Sequence, residues 1–265
     1  MSHSPYPIYL VSLPKDSTRR DALKRRFPEF AARITHVEAV DGRELTAKDF
    51  FGHILPACMN GHRLMLPGEV GCSLSHIKAL RQFLDSEAPA ALILEDDVIG
   101  DDEAVARIMS LIPALPESAL LICGGQEGMP ARKFLFGKPT GREGLFRLAD
   151  FSNRHVFRTC CYVVTRRSAA DILAGHDKAL QLADAWGRFF QSSPVSIYFA
   201  NLLQHPEELD SSHLQQERAL FGHNSDAFRK TLWDRLTRRI QRIHRKLGAL
   251  MCLMAGYRRV LPRRR

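Results

Sequence analysis

The sequence has few cysteines and no two of them in a C-x-x-C arrangement. Its six, Cys58, Cys72, Cys123, Cys160, Cys161 and Cys252, sit mostly in apolar surroundings, which reads as buried free thiols in a reducing compartment. The spacings of a structural zinc site are also missing. There is no run of about 20 apolar residues, the length a membrane-spanning helix needs. Residues 1–7 lack the basic head and apolar core of a secretory signal. These absences predict a cytoplasmic protein. Acids are scarce in one region: residues 229–265 hold thirteen Lys or Arg and one acid, Asp234. Set against a net charge of +9, that stretch alone is +12 and leaves the preceding body near −3. The length, 265 residues, suits one large α/β domain or one domain with an appendage.

What is present centres on Ala90-Ala91-Leu92-Ile93-Leu94-Glu95-Asp96-Asp97-Val98. An apolar run ends in three consecutive carboxylates. Its length and composition fit a buried parallel strand, and open α/β sheets bind ligands at the carboxyl ends of their strands. Strand alternation would put Glu95 and Asp97 on one face and Asp96 on the other. Neighbouring acids repel, and a divalent cation would relieve the repulsion. Oxygen ligands favour Mn²⁺ or Mg²⁺, and such a metal commonly serves a phosphate-bearing substrate. The competing reading is a polar loop of capping acids, because Asp101-Asp102-Glu103 fit a helix start.

Other segments fall around this one. Residues 7–13 read as a buried first strand, followed by a helix over 18–27 with Asp16 or Ser17 as N-cap. Arg19 and Arg20 lie near that strand's end, either on a solvated face or against a nucleotide. Residues 34–40 read as a second strand, and Asp41-Gly42 as a turn. In Pro67-Gly68-Glu69-Val70-Gly71-Cys72-Ser73-Leu74-Ser75-His76, two glycines precede a helical pattern. They either admit a ligand to the backbone at a helix N-terminus or make a tight turn into a core helix. Strands are predicted over 119–123, 156–164 and 196–200, and irregular loops over 126–153. Asp184-Ala185-Trp186 admits two readings: a sugar site, with the ring on a pyranose and the acid on a hydroxyl, or a capped turn with Trp186 in the core. His205 and His213 follow in polar surroundings, as candidates for a third metal ligand.

The tail differs. Phe228, Leu232, Leu236, Ile240, Ile243, Leu247, Leu250 and Met254 fall on one helical stripe, with Arg and Lys filling the rest. This is the pattern of a basic amphipathic helix lying on an anionic membrane surface. Alternatively the stripe packs on the body. Nucleic acid is not expected as a partner, because no aromatic interleaving accompanies the charge.

Four segments, taken together, resemble a family: Ile8-Tyr9-Leu10-Val11-Ser12-Leu13 with Arg19-Arg20; His36-Val37-Glu38-Ala39-Val40-Asp41-Gly42; Gly68-Glu69-Val70-Gly71-Cys72-Ser73-Leu74-Ser75-His76; and Leu92-Ile93-Leu94-Glu95-Asp96-Asp97. Their order and spacing are similar to glycosyltransferase family 25, the lipooligosaccharide β-galactosyltransferases of Gram-negative bacteria, which also includes collagen galactosyltransferases. The likeness covers roughly residues 7–215. It implies an α/β, GT-A-like (Rossmann-related) fold: a mixed, mostly parallel sheet flanked by helices, here with the C-terminal basic amphipathic helix added. Glu95-x-Asp97 takes the place of an Asp-x-Asp motif, so the resemblance makes Asp97 and Glu95 metal ligands for Mn²⁺ (or Mg²⁺). Asp184 falls in a later Asp-x-Trp position and is the implied general base. Ser12, Leu13, Arg19, Arg20, Gly68, Glu69, Gly71, Ser75, His76, Glu95 and Asp96 are the implied donor-binding residues. Where the family commonly has an aromatic after the Ser-His, this chain has Leu80 and Arg81.

The resulting expectation is a catalytic domain over 1–222 and a membrane-associating tail over 223–265. The activity expected is inverting, metal-dependent transfer of a hexose, galactose from UDP-galactose, to a lipid-linked oligosaccharide in lipooligosaccharide or lipopolysaccharide biosynthesis. The enzyme would sit peripherally at the inner membrane face. Competing readings are a glucosyl- or N-acetylhexosaminyltransferase of the same fold, a metal-dependent phosphohydrolase (although no Asp-x-Asp-x-Thr start is present), and a non-catalytic surface protein.

Overall fold

The computed structural model describes residues 5–206 and 232–262. One nine-stranded sheet spans them, in the order β2-β1-β3-β7-β4-β8-β6-β5-β9. The strands are β1 (Ile8–Ser12), β2 (Ile34–Glu38), β3 (Ala90–Glu95), β4 (Ala119–Gly124), β5 (Phe136–Pro139), β6 (Phe146–Leu148), β7 (Cys161–Thr165), β8 (Ser196–Leu203) and β9 (Arg258–Arg259). From the pairings, β1, β2, β3, β4, β5 and β8 run one way, and β6, β7 and β9 the other. The sheet is thus mixed and mostly parallel in direction. The flanking helices are α1 (Ser17–Arg26), α2 (Ala47–Met59), α3 (Pro67–Leu84), α4 (Asp102–Leu111), α5 (Asp150–Asn153), α6 (Arg166–Lys178), α7 (Trp186–Phe189) and α8 (Leu232–Met254).

The near-continuous apolar strands follow from burial on both faces. Tyr9, Val11, Ile93, Leu120, Ile122 and Tyr162 pack to one side with Leu80 and Phe83 of α3 and Ile172 of α6. Alternate residues Ile8, Leu10, Leu92, Leu94 and Leu121 pack to the other with Leu23 of α1 and Ile108 of α4.

Three expectations change here. The glycines of residues 67–76 do not precede α3; they lie inside its first turns. Pro67 suits the first helical position, and Glu69 folds back to accept the Leu66 N–H at 3.1 Å, so the helix starts early. The predicted strand 156–164 forms only from Cys161 and runs antiparallel between β3 and β4; before it, Arg158 has a φ of 69°, which no strand residue adopts. Residues 126–153 are not all loop. Phe136 and Leu148 are buried, and β5 and β6 extend the sheet, but their apolar positions are too few to show a period. A strand that the sequence does not predict, β9, pairs with β5 after α8.

From Ile240 onward, helix α8 lies with its apolar stripe outward. Ile240, Ile243, Leu247, Leu250 and Met254 are all exposed; Phe228 lies outside the described residues. A different set packs on the body: Ala249 and Cys252 join Phe136, Ala149 and Phe151. Gly248 sits so close to Phe151 that a Cβ there would lie 2.2 Å from the ring. Downstream, Leu261 is buried in the main core. Among the described residues, no helix is long and apolar enough to cross a membrane.

Candidate active site

The carboxyl ends of β1, β2 and β3, three parallel neighbours, open onto a cavity of about 740 Å³. Its lining includes Ser12, Leu13, Arg19, Gly68, Glu69, Ser75, His76, Glu95, Asp96, Asp97 and Asp184. Arg20 and Gly71 stand behind the wall. Arg20 donates to Ser12 Oγ at 3.1 Å and to the carbonyls of Leu13 and Pro14, which fixes the loop after β1. Gly71 packs on the loop after β2; a Cβ there would lie 2.5 Å from Gly42 N and 2.6 Å from Val40 O. Ser75 ties the same helix to that loop, accepting from the Val40 N–H at 2.8 Å and donating to Gly71 O at 2.6 Å.

The three acids do not alternate between faces. β3 ends at Glu95 and the chain turns through Asp96 and Asp97, so all three line one cavity. Ser12 Oγ donates to Asp96 Oδ2 at 2.6 Å. The Arg19 guanidinium bridges Asp96 Oδ1 at 3.0 Å and Asp97 Oδ2 at 3.1 Å. Burial pushes Asp96 up to about 6, against the pull of Arg19 and Ser12 and with Asp97 and Asp16 adding to the rise. Asp97 is likewise raised by burial and by Glu95, with His205 and Arg19 opposing. For Glu95, burial alone would raise the carboxyl, but His76, Thr159 and His205 outweigh it and leave it at about 2. His76 spans two partners, with Nε2 3.1 Å from Glu95 Oε1 and Nδ1 2.9 Å from the Tyr162 hydroxyl. A carboxylate only accepts, so Nε2 carries the proton of the first bond.

Among the described residues, one donor set is gathered closely enough for a metal and another matches only in its chemistry. Asp97 Oδ1 is buried and without a hydrogen-bond partner among the described residues, a costly state for a carboxylate oxygen. Asp97 Oδ2 lies 3.5 Å from His205 Nε2. An oxygen-rich set of Asp97, Glu95 and His205 therefore fits Mn²⁺ or Mg²⁺ in chemistry. His213 lies outside the described residues. Separately, Cys72, His76 and Glu95 bring three ligand atoms within 4.8 Å of one another, a softer set. Its sequence signal, Cys-x-x-x-His on one helical face, stands beside the Ser-His that the family likeness rests on.

Across the cavity, Asp184 Oδ2 accepts the Arg158 N–H at 2.9 Å. The left-handed Arg158 backbone turns that N–H to the acid, and its guanidinium donates to Gly125 O at 2.8 Å. A non-glycine φ of this kind marks local strain held by the surroundings. Trp186 does not offer its face to a sugar. It is 1% exposed and packs on Tyr162 with ring centroids 5.2 Å apart, because α7 turns it inward from Asp184. Sequence reading passed over Arg63, which clamps Glu69 through bonds of 2.8 and 2.7 Å. It also passed over Asp41 as a site residue. Arg43 and Lys15 hold the Asp41 carboxyl, against some burial, well below the usual range. Arg63 belongs to no local pattern, and the Asp41-Gly42 pair reads only as a turn.

A mixed α/β sheet whose parallel strand ends gather acids beside an arginine defines a ligand-binding α/β protein. The family model described as "Glycosyltransferase family 25 (LPS biosynthesis protein)" matches residues 6–184. The chain belongs to glycosyltransferase family 25. It is 25% identical over 249 residues to procollagen galactosyltransferase 2 of Homo sapiens, covering 87% of this chain and 38% of that one. It is 34% identical over 96 residues to a glycosyltransferase 25 family member of Drosophila pseudoobscura pseudoobscura, covering 34% and 15%. The chain thus spans under two-fifths of the human relative's length. Among solved structures, mannose-1-phosphate geranyltransferase from Thermus thermophilus aligns over 74% of each chain, with 15% identity and a TM-score of 0.40.

Proposed function

We propose that this chain is an inverting glycosyltransferase that moves a hexose, galactose from UDP-galactose, to a saccharide acceptor of lipooligosaccharide or lipopolysaccharide biosynthesis. One observation carries the reading: Glu95, Asp96, Asp97 and Asp184 line a single cavity at the strand ends in a member of this family. The donor's diphosphate would lie by the acidic turn, with Arg19 beside it. Asp97 and Glu95, with His205, would hold a Mn²⁺ or Mg²⁺ ion, which when bound supplies positive charge to the leaving diphosphate. Asp184, steadied by the Arg158 N–H, takes the proton from the acceptor hydroxyl as its oxygen attacks the anomeric carbon from the face opposite the departing UDP. Inversion follows from that single displacement.

The exposed stripe of α8 supports a peripheral location at the inner membrane face, where a lipid-linked acceptor would be displayed. Its apolar side is free while Arg239, Arg242, Arg245 and Lys246 sit on the same helix.

The test is UDP release from a panel of UDP-sugars with Mn²⁺, with and without lactose-, glucose- and N-acetylglucosamine-type acceptors, for wild type and Asp97→Ala. Acceptor-stimulated release from UDP-galactose, lost with chelator and in the variant, is the expected result. Preference for another UDP-sugar would reassign the donor. Phosphate release without any acceptor would favour a phosphohydrolase instead. No release and no calorimetric binding of UDP would end the donor-site reading.

A further inference from the structure

A second cavity, of about 910 Å³, adjoins the first and shares Arg63, Phe157, Leu182 and Asp184 with it. Asp184 thus stands at the junction, where a base must meet an acceptor hydroxyl. The second cavity has a mixed wall. Two of its lining residues, Asn153 and Gln181, carry amide oxygens that are buried and unpartnered among the described residues. Their side chains make part of the wall polar, while these two oxygens are themselves closed off from the cavity.

Two arginines stand on the same wall. Gly187 packs on the Arg154 backbone, where an added Cβ would lie 3.0 Å from its Cα. That close approach sets Arg154, at the end of α5, beside Arg188 of α7. Both are exposed at the cavity. Neither has an ion-pair partner among the described residues, whereas the third arginine, Arg63, is clamped by Glu69. The lining acids are Asp184, held by Arg158, and the exposed Asp150. Two uncommitted guanidinium forks on adjoining backbone match an oxyanion group.

We infer that this second cavity is the acceptor subsite and that it selects a saccharide bearing an anionic group, a phosphate or a carboxylate, bound by Arg154 and Arg188. The inference deepens the transferase reading and rests on it for the name "acceptor". Its binding content stands separately.

The experiment uses the full chain. Calorimetric titrations compare glucose 6-phosphate, glucuronic acid and glucose, each with and without UDP, for wild type and for Arg154→Gln/Arg188→Gln. Transfer from UDP-galactose to the same three sugars is measured in parallel. The expected result is about tenfold tighter binding, and a correspondingly lower KM, for one of the anionic sugars over glucose. The advantage should vanish in the variant and return in Arg154→Lys/Arg188→Lys at least in part. UDP affinity should stay unchanged, which also reports an intact fold. Whichever of the two anionic sugars gains identifies the group as phosphate or carboxylate. Equal affinity for all three sugars, or an advantage that survives in the glutamine variant, overturns the inference. If wild type fails to bind UDP yet shows the arginine-dependent advantage, the transferase reading falls and the anion site stands. If UDP binds and turns over with no anionic preference, only the present inference falls.

Discussion

Asp184 accepts the backbone N–H of Arg158, a residue in the left-handed conformation. As the proposed base, it should be needed for transfer and not for the donor. Asp184→Asn is expected to lower kcat by about 10²- to 10⁴-fold while calorimetric UDP affinity holds. A second prediction concerns the buried histidines. Burial, helped by nearby His76, pushes His176 down to about 4; burial, with Arg154 and Arg245, does the same to His155. The unfolded chain takes up these protons near pH 6.5, before the folded one does. Stability should therefore be complete above pH 6.5 and fall as the pH drops toward 4, by up to about 3 kcal/mol for His176. Urea denaturation at pH 7 and 4.5 measures the loss, and His176→Gln should make it smaller.

Helix α3 shows at the next scale why glycines occur where they do. Gly71 and Gly42 let the helix and the loop after β2 touch backbone to backbone. Gly71→Ala should cost about 1–3 kcal/mol as the helix is forced off the loop, read as a lower urea midpoint, and should weaken UDP binding because Ser75 moves with the helix. The strands that position the site were legible because burial on both faces writes long apolar runs, as in residues 90–94. The acidic turn was legible because such a run stopped abruptly. What could not be read was anything set by contacts distant in sequence. The direction of β7 depends on its neighbours, the short β5 and β6 carry too few apolar residues to show a period, and Arg158 and Arg63 gain their roles from partners that fold brings near. Trp186 was ambiguous for a related reason: spacing does not say which way a single-turn helix faces.

For the molecule as a whole, α8 is both a surface feature and a part of the body. Its exposed stripe can be altered without touching the packed residues Gly248, Ala249 and Cys252. Leu247→Ser/Leu250→Ser/Met254→Ser is expected to keep the Tm and lose pelleting with anionic liposomes; undiminished pelleting would exclude the stripe as the contact. Deleting residues 232–265 is the poorer experiment. It strips β9, Cys252 and Leu261 from the fold, and at about 1.5–3 kcal/mol for each large apolar side chain buried the Tm should drop as well. The pairing of β9 with β5 has a mechanical meaning too. A helix on a slack leader would let its cargo tumble over a surface. This helix is stitched to the sheet immediately after it ends, so a lipid surface gripping α8 would fix the bearing of the whole body, and the catalytic opening would keep one heading relative to whatever lies in that plane.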